Sequence, residues 1–353
     1  MHGVSAKTTI RNQPPISASQ RVSRQDYCEA VLTDLKQRGV AIIQGPAGSG
    51  SSWAAWELSE RWQGPITWTR PGMWLQSADL LRPLWTGAAP AALYQGSCER
   101  LVDSVLSTLR SEGKLLILDD LDPCFTSGAA GVPDAELRLL LAALEAGELA
   151  DSGAAVLITA HHGPAGLSVP VRPLPPLTPS QATAIAGRSV TQLAPIWLRR
   201  PGALALLRAL PERFRLPSDR SQLWGTLLTA LLETLPAEDE ETLLILALAR
   251  QPTPAAAVAA SGSLHINAAT GSLQRLEGKG LIEAVGCYWR CARSIGSASR
   301  RLIPERQILL QKNALLQRLA GYFLRELNPS VPNRTELEDN SSARLGLRYA
   351  VAA

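Results

Sequence analysis

The chain has 353 residues, of which 35 are basic and 31 acidic, so its formal net charge is +4. At roughly 100–200 residues per domain, this length predicts two or three domains. A composition of 46% hydrophobic and 19% charged residues excludes a wholly disordered chain, and the slight excess of positive charge is compatible with nucleic acid without requiring it.

Cysteine content and hydropathy bear on where the protein resides. The five cysteines are odd in number and scattered, which argues against a disulfide framework and favours a reducing, cytoplasmic location. No apolar run approaches the ~18–20 residues of a membrane span, so we expect no membrane partner. Residues 1–25 are polar and contain basic residues, including Arg24, but no acid, and we predict a flexible, solvated tail.

Apolar strands alternate with helical segments from residue 26 to residue 177. An amphipathic helix is predicted over residues 26–38, and helical patterns also fill 77–110 and 134–148. The predicted strands lie in the segments GVAIIQ, ITWTR, KLLILDD, AAVLITA and VRPLPPL. Strands that are apolar throughout and alternate with helices indicate an α/β fold whose parallel sheet is covered on both faces.

The strand signal fades after residue 178, where helical periodicity continues. A helix begins there with Thr178 or Ser180 as its cap, and residues 178–235 are predicted to form a helical subdomain. Residues 236–300 follow with three short helices and two short strands, the order of a winged helix. A last helix and a polar tail are predicted within 301–353.

The first predicted strand leads into a glycine-rich loop that matches the phosphate-loop pattern G-x-x-x-x-G-K-[ST] at every position but one. The eight positions, all predicted to hold a nucleotide, are Gly45, Pro46, Ala47, Gly48, Ser49, Gly50, Ser51 and Ser52. Glycines allow backbone N–H groups to turn inward, and the start of the following helix adds positive potential. Ser52 is placed to ligate Mg²⁺.

The position that departs from this pattern is Ser51, where a lysine would reach the β- and γ-phosphates. A backbone cradle without that charge should bind nucleotide more weakly, and charge stabilisation during phosphoryl transfer should suffer more. Taken alone, a loop without the lysine is equally well a glycine turn between a strand and a helix.

A second signal lies at the end of the apolar strand LLIL. Asp119 and Asp120 follow this strand directly, and ligands of open α/β sheets bind at the carboxyl ends of the strands. Asp119 would hold Mg²⁺ through water, and Asp120 would orient an attacking water as the catalytic residue. The alternative is a pair that caps a helix. The two signals together predict a P-loop NTPase.

The motif order VAIIQGPAGSGSS, LLILDD, VLITAHH, VRPLPPLTPSQA and RRPGALALL, within residues 26–325, resembles the signal-transduction ATPases with numerous domains (STAND). The resemblance implies a P-loop NTPase domain over 26–177, a helical lid over 178–235 and a winged helix over 236–300. It also implies ATP or ADP with Mg²⁺ as ligand, an unknown protein partner, and oligomerisation on activation.

The same resemblance assigns three further positions around the nucleotide. Thr159 falls on the polar sensor position after the fourth strand, and Pro201 falls on the proline of a G-x-P motif that packs near the adenine. His161 stands where the family has an arginine near the γ-phosphate. We expect His161 and His162 to point in opposite directions from the strand end, so that only one of them can face a nucleotide.

Four departures from the family pattern predict a weak or inactive ATPase. Ser51 replaces the lysine, His161 replaces the arginine, Arg199 replaces the glycine of G-x-P, and no histidine follows His265 in the predicted winged helix. The first hypothesis is therefore a regulatory switch that binds ATP or ADP and hydrolyses it slowly or not at all.

Two other classes of function stay open. One is a DNA-binding regulator with the architecture of origin-recognition AAA+ proteins, although Gly202 stands where those proteins have an arginine. Its recognition helix, about residues 267–278, offers Gln274 and Arg275, and further basic residues follow it. These are Arg290, Arg293, Arg300, Arg301, Arg306, Lys312, Arg318 and Arg325. The other class is a pseudo-ATPase scaffold that binds no nucleotide.

Overall fold

The computed structural model divides the chain into two compact units, Met1–Pro176 and Leu177–Ala353. It describes residues 22–46, 48–69, 84, 98–122, 135–162, 168–187, 199–211, 214, 222–249, 252–285, 288–291, 295 and 309–325. Among these residues, no helix combines the length and the apolar character needed to cross a membrane.

The first unit contains a five-stranded parallel sheet. Its strands are β1 (Val40–Gln44), β2 (Ile66–Thr69), β3 (Leu115–Leu118), β4 (Ala155–Ala160) and β5 (Val171–Pro173). They are ordered β2-β3-β4-β1-β5, and every pair is parallel. The helices are α1 (Gln25–Arg38), α2 (Ser51–Arg61), α3 (Cys98–Glu112) and α4 (Ala135–Glu145). The predicted α/β fold with a parallel sheet is confirmed.

Alternate residues of the strands enter two different cores, because successive side chains of a strand point to opposite faces of a sheet. Ile42, Leu116 and Ile158 join a core that also contains the buried leucines of α3 and α4. Ile43 and Ile117 join a second core formed with α1 and α2. Both faces are therefore covered at β1, β3 and β4, which explains why these three strands are almost entirely apolar.

The carboxyl ends of β3, β4 and β1 meet at one edge, because β4 lies between the other two strands. The pairing Ile42↔Ile158 aligns β1 with β4, and the pairing Leu118↔Ile158 aligns β3 with the same strand. The segments that leave these strands are thus brought side by side, although they are far apart in the sequence.

The second unit is mainly helical. Its helices are α5 (Pro179–Ala186), α6 (Pro201–Ala209), α7 (Leu223–Leu232), α8 (Ala237–Ala249), α9 (Ala255–Gly262), α10 (Ile266–Gly278) and α11 (Leu309–Arg325). Three short strands, β6 (Thr253–Pro254), β7 (Ile282–Val285) and β8 (Tyr288–Cys291), form an antiparallel sheet in the order β6-β8-β7. Thr178, one of the two predicted caps, caps α5 in a capping box with Gln181.

The end of the predicted N-terminal tail is part of the folded domain. Val22 accepts a hydrogen bond from Trp53 Nε1 of α2 at 3.1 Å, and Arg24 is only 8% exposed. The prediction of a solvated tail is therefore wrong for Val22 and Arg24, because their contacts are made with residues far along the chain. Residues 1–21 lie outside the described residues.

A buried carboxylate ties two helices of the second unit together. Asp239 of α8 is fully buried, and Arg275 of α10 donates to it from Nη2 at 2.6 Å and from Nε at 3.1 Å. Burial acts to raise the pKa of Asp239, but hydrogen bonds from Arg275 and Ser272 outweigh it, so the pKa lies below its ordinary value. The guanidinium of Arg275 thus has an internal partner.

We expect Arg275→Met to destabilise the protein by about 1–3 kcal/mol, because it leaves a buried carboxylate without its main donor. Gln274→Met is the matched control, since Gln274 is an exposed neighbour on the same helix, and it should change the free energy of unfolding by less than about 0.5 kcal/mol. Urea unfolding at neutral pH measures both variants. Equal stability of the two variants would show that the ion pair contributes nothing.

The same pair gives a pH dependence with a defined sign. Because the pKa of Asp239 is depressed in the folded state, its stabilising effect is present above the ordinary pKa of 3.8. That effect is lost as the pH falls through the folded-state pKa. The stability lost between pH 5 and acid conditions should therefore be smaller in Arg275→Met than in the wild type, as urea unfolding at each pH would measure.

Candidate functional site

The glycine loop connects β1 to α2 in a tight left-handed path. Gly48 has φ of 76° and Gly50, directly before α2, has φ of 90°, a region that residues with a Cβ rarely adopt. A Cβ atom built on Gly45 would lie 2.4 Å from Ser49 Oγ, so any larger residue there would force the Ser49 side chain to move. Ala47 lies outside the described residues.

The loop carries a buried hydroxyl without a hydrogen-bond partner among the described residues. That atom is Oγ of Ser49, whose side chain is buried beside Gly45. The backbone of Ser49 is occupied, since its N–H donates to the carbonyl of Pro46 at 2.9 Å. An unpaired buried hydroxyl is costly, so a loop with this feature is suited to a polar ligand.

The structure brings the loop and the acidic strand end together. Ser52 Oγ, in the first turn of α2, donates to Asp119 Oδ1 at 2.8 Å. Thr159, in β4, donates to the same oxygen at 2.6 Å, and Asp119 is fully buried. Three elements that start far apart in the sequence thus meet at one carboxylate.

Asp120 has a different environment from its neighbour. Its backbone N–H donates to Thr159 Oγ1 at 2.8 Å, and its φ of 67° is left-handed, which is uncommon for a residue other than glycine. Aspartate tolerates this conformation better than most residues, and the bond to Thr159 helps to hold it. Thr159 therefore orients both aspartates, one by donating and the other by accepting.

The donor set fits Mg²⁺. Ser52 and Asp119 supply a hydroxyl and a carboxylate oxygen that already lie within hydrogen-bond distance of one another. Mg²⁺ is a hard cation that prefers oxygen ligands and is held by one or two protein groups, together with water and phosphate oxygens. The described residues contain no group of three or more His, Cys, Asp and Glu side chains suited to a metal ion.

The two histidines after β4 do not point apart. Their rings are stacked, with centroids 4.1 Å apart and an angle of 24° between the planes, so the expectation of opposite directions is wrong. The cause is Asp122, whose Oδ1 accepts from the backbone N–H groups of His161 at 2.8 Å and His162 at 3.0 Å. These bonds turn the chain once the strand has ended at Ala160.

The sequence pattern points to Asp119 and Asp120 but does not single out Asp122. The signal was present as the third acidic residue of LDDLDP, two positions beyond Asp120.

Pro201 is the first residue of α6 in the second unit, with Arg200 as the helix cap. The roles of His161 at the γ-phosphate and of Pro201 near an adenine stay predictions.

Several of the basic residues that were candidates for DNA binding form ion pairs or hydrogen bonds with other residues of the second unit. Besides Arg275, Arg290 pairs with Glu283 at 2.6 Å, and Arg318 Nη1 donates to the carbonyl of Ser261 at 2.8 Å. Gln274 is exposed. A DNA partner thus gains no support from these residues. The side chains of Arg293, Arg300, Arg301, Arg306, Lys312 and Arg325 lie outside the described part of the chain.

The chain is similar in structure to a signal transduction ATPase with numerous domains that carries a tetratricopeptide repeat sensor, from Pyrococcus horikoshii. The TM-score is 0.67 at 16% sequence identity. The match covers 98% of this chain and 50% of that protein, so the chain spans about half of its relative's length. No protein-family model and no curated protein matches the sequence.

The RuvB Holliday junction branch migration motor of Thermotoga maritima also matches, over 82% of this chain and 98% of that one. Its TM-score of 0.32 at 16% identity is too low to support any argument. The parallel sheet and the first match show an α/β fold of the P-loop type, similar to that of the Pyrococcus protein. Because folds host many functions, the function must be argued from the site.

We expect Thr159→Val to destabilise the protein by about 1–3 kcal/mol, because the buried hydroxyl donates to Asp119 and accepts from the N–H of Asp120. Thr159→Ser keeps the hydroxyl and should lose clearly less stability than Thr159→Val. Chemical unfolding without ligand measures both variants. Equal losses in the two variants would assign the effect to the missing methyl group and not to the hydrogen bonds.

Proposed function

We propose that the protein binds ATP or ADP with Mg²⁺ at the glycine loop and acts as a regulatory switch with weak or absent hydrolysis. The observation that carries the proposal is the 2.8 Å hydrogen bond from Ser52 to Asp119. It joins the two sequence signals that are each ambiguous alone. A glycine turn with a separate helix-capping pair would not need to place these two side chains together.

Each residue of the site has a defined task in this proposal. The loop from Gly45 to Ser51 offers the phosphates backbone N–H groups other than those of Gly45 and Ser49, which donate within the fold, and the N-terminus of α2 assists them. Ser52 and Asp119 hold the Mg²⁺ ion, which would neutralise charge on the phosphates. Thr159 keeps Asp119 in position, and Asp120 orients a water molecule at the strand end.

Weak hydrolysis follows from the residue at the lysine position. Ser51 is the first residue of α2, and its short side chain carries no charge. Binding by backbone groups survives this change, whereas the negative charge that develops during phosphoryl transfer loses a stabilising cation. We infer a site that holds nucleotide better than it turns nucleotide over.

The switch role rests on the fold and on the second unit. A protein of this fold class with a repeat sensor is named for signal transduction, and this chain spans about half of it. We propose that residues 178–235 form a lid, that residues 236–300 form a winged helix, and that nucleotide biases their arrangement. The order of α8, β6, α9, α10, β7 and β8 supports the winged helix. Oligomerisation on activation and an unidentified protein partner belong to this proposal.

Calorimetry with ATP and with ADP, each with and without Mg²⁺, tests the proposal directly. Turnover within the ~1–100 s⁻¹ that is usual for phosphoryl-transfer enzymes would contradict the weak hydrolysis. No binding at millimolar nucleotide would instead favour a scaffold that has kept the fold and lost the ligand. A salt-dependent gel shift on duplex DNA tests the remaining alternative.

We expect Asp119→Asn to reduce the Mg²⁺-dependent part of nucleotide binding while leaving the Mg²⁺-independent part nearly unchanged. The amide removes the negative charge but keeps an oxygen that can accept from Ser52 and Thr159. Asp103→Asn is the matched control, because it makes the same change on the exposed face of α3. Thermal shift with nucleotide, with and without Mg²⁺, measures both. Loss of binding under both conditions would show a structural role for Asp119.

We expect Ser51→Lys to strengthen nucleotide binding by at least about tenfold, since a charge-assisted contact to phosphate is worth about 1.5–3 kcal/mol. Ser51→Met is the control, because it supplies a long side chain without charge. Calorimetry with Mg²⁺ and ADP compares the two variants. If the lysine variant binds no better than the methionine variant, the loop does not hold phosphate as proposed.

A further inference from the structure

The turn that follows β4 begins beside the first residue of the glycine loop. Gly45 donates from its backbone N–H to the carbonyl oxygen of Ala160 at 3.0 Å, and Gln44 pairs with Ala160 in the register of β1 and β4. His161 is the next residue of the chain, and it is partly buried. A residue with a titratable ring therefore follows the strand next to the start of the loop, whose lysine position is occupied by Ser51.

Asp122 holds this turn by hydrogen bonds to the backbone. Both of its carboxylate oxygens accept from the N–H of His161 at 2.8 Å, and Oδ1 also accepts from the N–H of His162 at 3.0 Å. These bonds need no particular charge on either imidazole. They also survive when one ring is replaced by another side chain, so the rings can be tested without removing the bonds that shape the turn.

The two stacked rings limit each other's charge. Their centroids lie 4.1 Å apart with 24° between the planes, and His162 is the more exposed of the two residues. Two positive charges at such a separation repel strongly where the effective dielectric constant is that of a protein surface. The pair therefore holds one proton far more readily than two, and its rings titrate as one coupled unit.

Charged groups at this edge of the sheet act on the pair in both directions. Among the described residues, Asp119, Asp120 and Asp122 follow β3, and their negative charge favours a protonated imidazole. The N-terminus of α2 acts against protonation, and so does Arg24, which donates to the carbonyl of Ser49. The glycine loop itself contains no titratable side chain. A negative charge added at the loop would shift this balance towards the imidazolium.

A triphosphate and a diphosphate differ in the charge that they bring to such a site. The γ-phosphate adds negative charge at the end of the polyphosphate chain furthest from the nucleoside. A neighbouring anion raises the protonated fraction of an imidazole, whose N–H then forms a charge-assisted hydrogen bond to phosphate. An arginine would carry its charge throughout the physiological pH range, whereas a histidine carries it only when a proton is bound.

We propose that His161 takes up a proton when a nucleoside triphosphate binds at the glycine loop, so that the preference for triphosphate over diphosphate depends on pH. His162 stacks on that ring and keeps the pair to a single charge. This inference rests on the proposed nucleotide binding and adds to it a regulation of the same site. The site then responds to pH as well as to the nucleotide.

The sign of the pH dependence follows from linkage. Because the complex with triphosphate holds more protons than the free protein, its affinity is highest at low pH and falls as the pH rises. An imidazole of ordinary pKa, about 6.5, is about one quarter protonated at pH 7, and an anion that makes protonation about tenfold more favourable brings this fraction to about three quarters. We therefore expect an uptake of about half a proton at pH 7.

Calorimetric titration at pH 7, in buffers of different ionisation enthalpy, measures this uptake. The dependence of the observed binding enthalpy on the ionisation enthalpy of the buffer gives the number of protons taken up. Each protein is titrated with ATP and with ADP at saturating Mg²⁺, and protons bound or released by the nucleotide itself cancel when variant and wild type are compared. We expect His161→Gln to take up about half a proton less than the wild type with ATP, and to differ little with ADP.

His162→Gln is the matched control, because it makes the same change on the adjacent ring. It should keep most of the uptake with ATP, since His161 is still present. A second readout is the ratio of ATP affinity to ADP affinity at pH 6 and at pH 8. We expect this ratio to fall about sixfold more in the wild type than in His161→Gln. If His161→Gln does not fold, His161→Asn replaces it in both measurements.

The outcomes separate this inference from the proposed function. If the wild type binds neither ATP nor ADP at millimolar concentration, the proposed function fails, and the inference fails with it. If the wild type binds ATP and His161→Gln shows the same uptake, only the inference is overturned. Equal uptake with ATP and ADP overturns it as well, because the proton would not follow the γ-phosphate. Uptake that is lost in His162→Gln but kept in His161→Gln also overturns it.

Discussion

The first unit depends on one buried carboxylate at the carboxyl edge of its sheet. Asp119 accepts hydrogen bonds from Ser52 of α2 and from Thr159 of β4, and it follows β3 directly. A fully buried acid is tolerated only when hydrogen bonds compensate for its lost hydration. The hydrogen bonds of Asp119 therefore fix the glycine loop, the end of β3 and Thr159 of β4 relative to one another.

The parallel sheet makes this convergence possible. Strand β4 lies between β3 and β1, so Thr159 reaches both the acid that follows β3 and the backbone of Asp120. Asp122 then accepts hydrogen bonds from the backbone N–H groups of His161 and His162, directly after β4 at the same edge of the sheet. An edge held by bonds between strands is preorganised, which is what electrostatic binding of a charged ligand requires.

Local patterns in the sequence predict the strands, the glycine loop and the paired aspartates, because hydrophobic runs and glycine spacing act over a few residues. Pairings across the fold could not be predicted in the same way. Arg24 reads as part of a solvated tail because its partner Ser49 is 25 residues away. From the sequence, Arg275 is a candidate DNA contact, because its buried partner Asp239 lies 36 residues away and leaves no local pattern. The stacked histidines follow from Asp122, which accepts hydrogen bonds from their backbone N–H groups and lies 40 residues before His162.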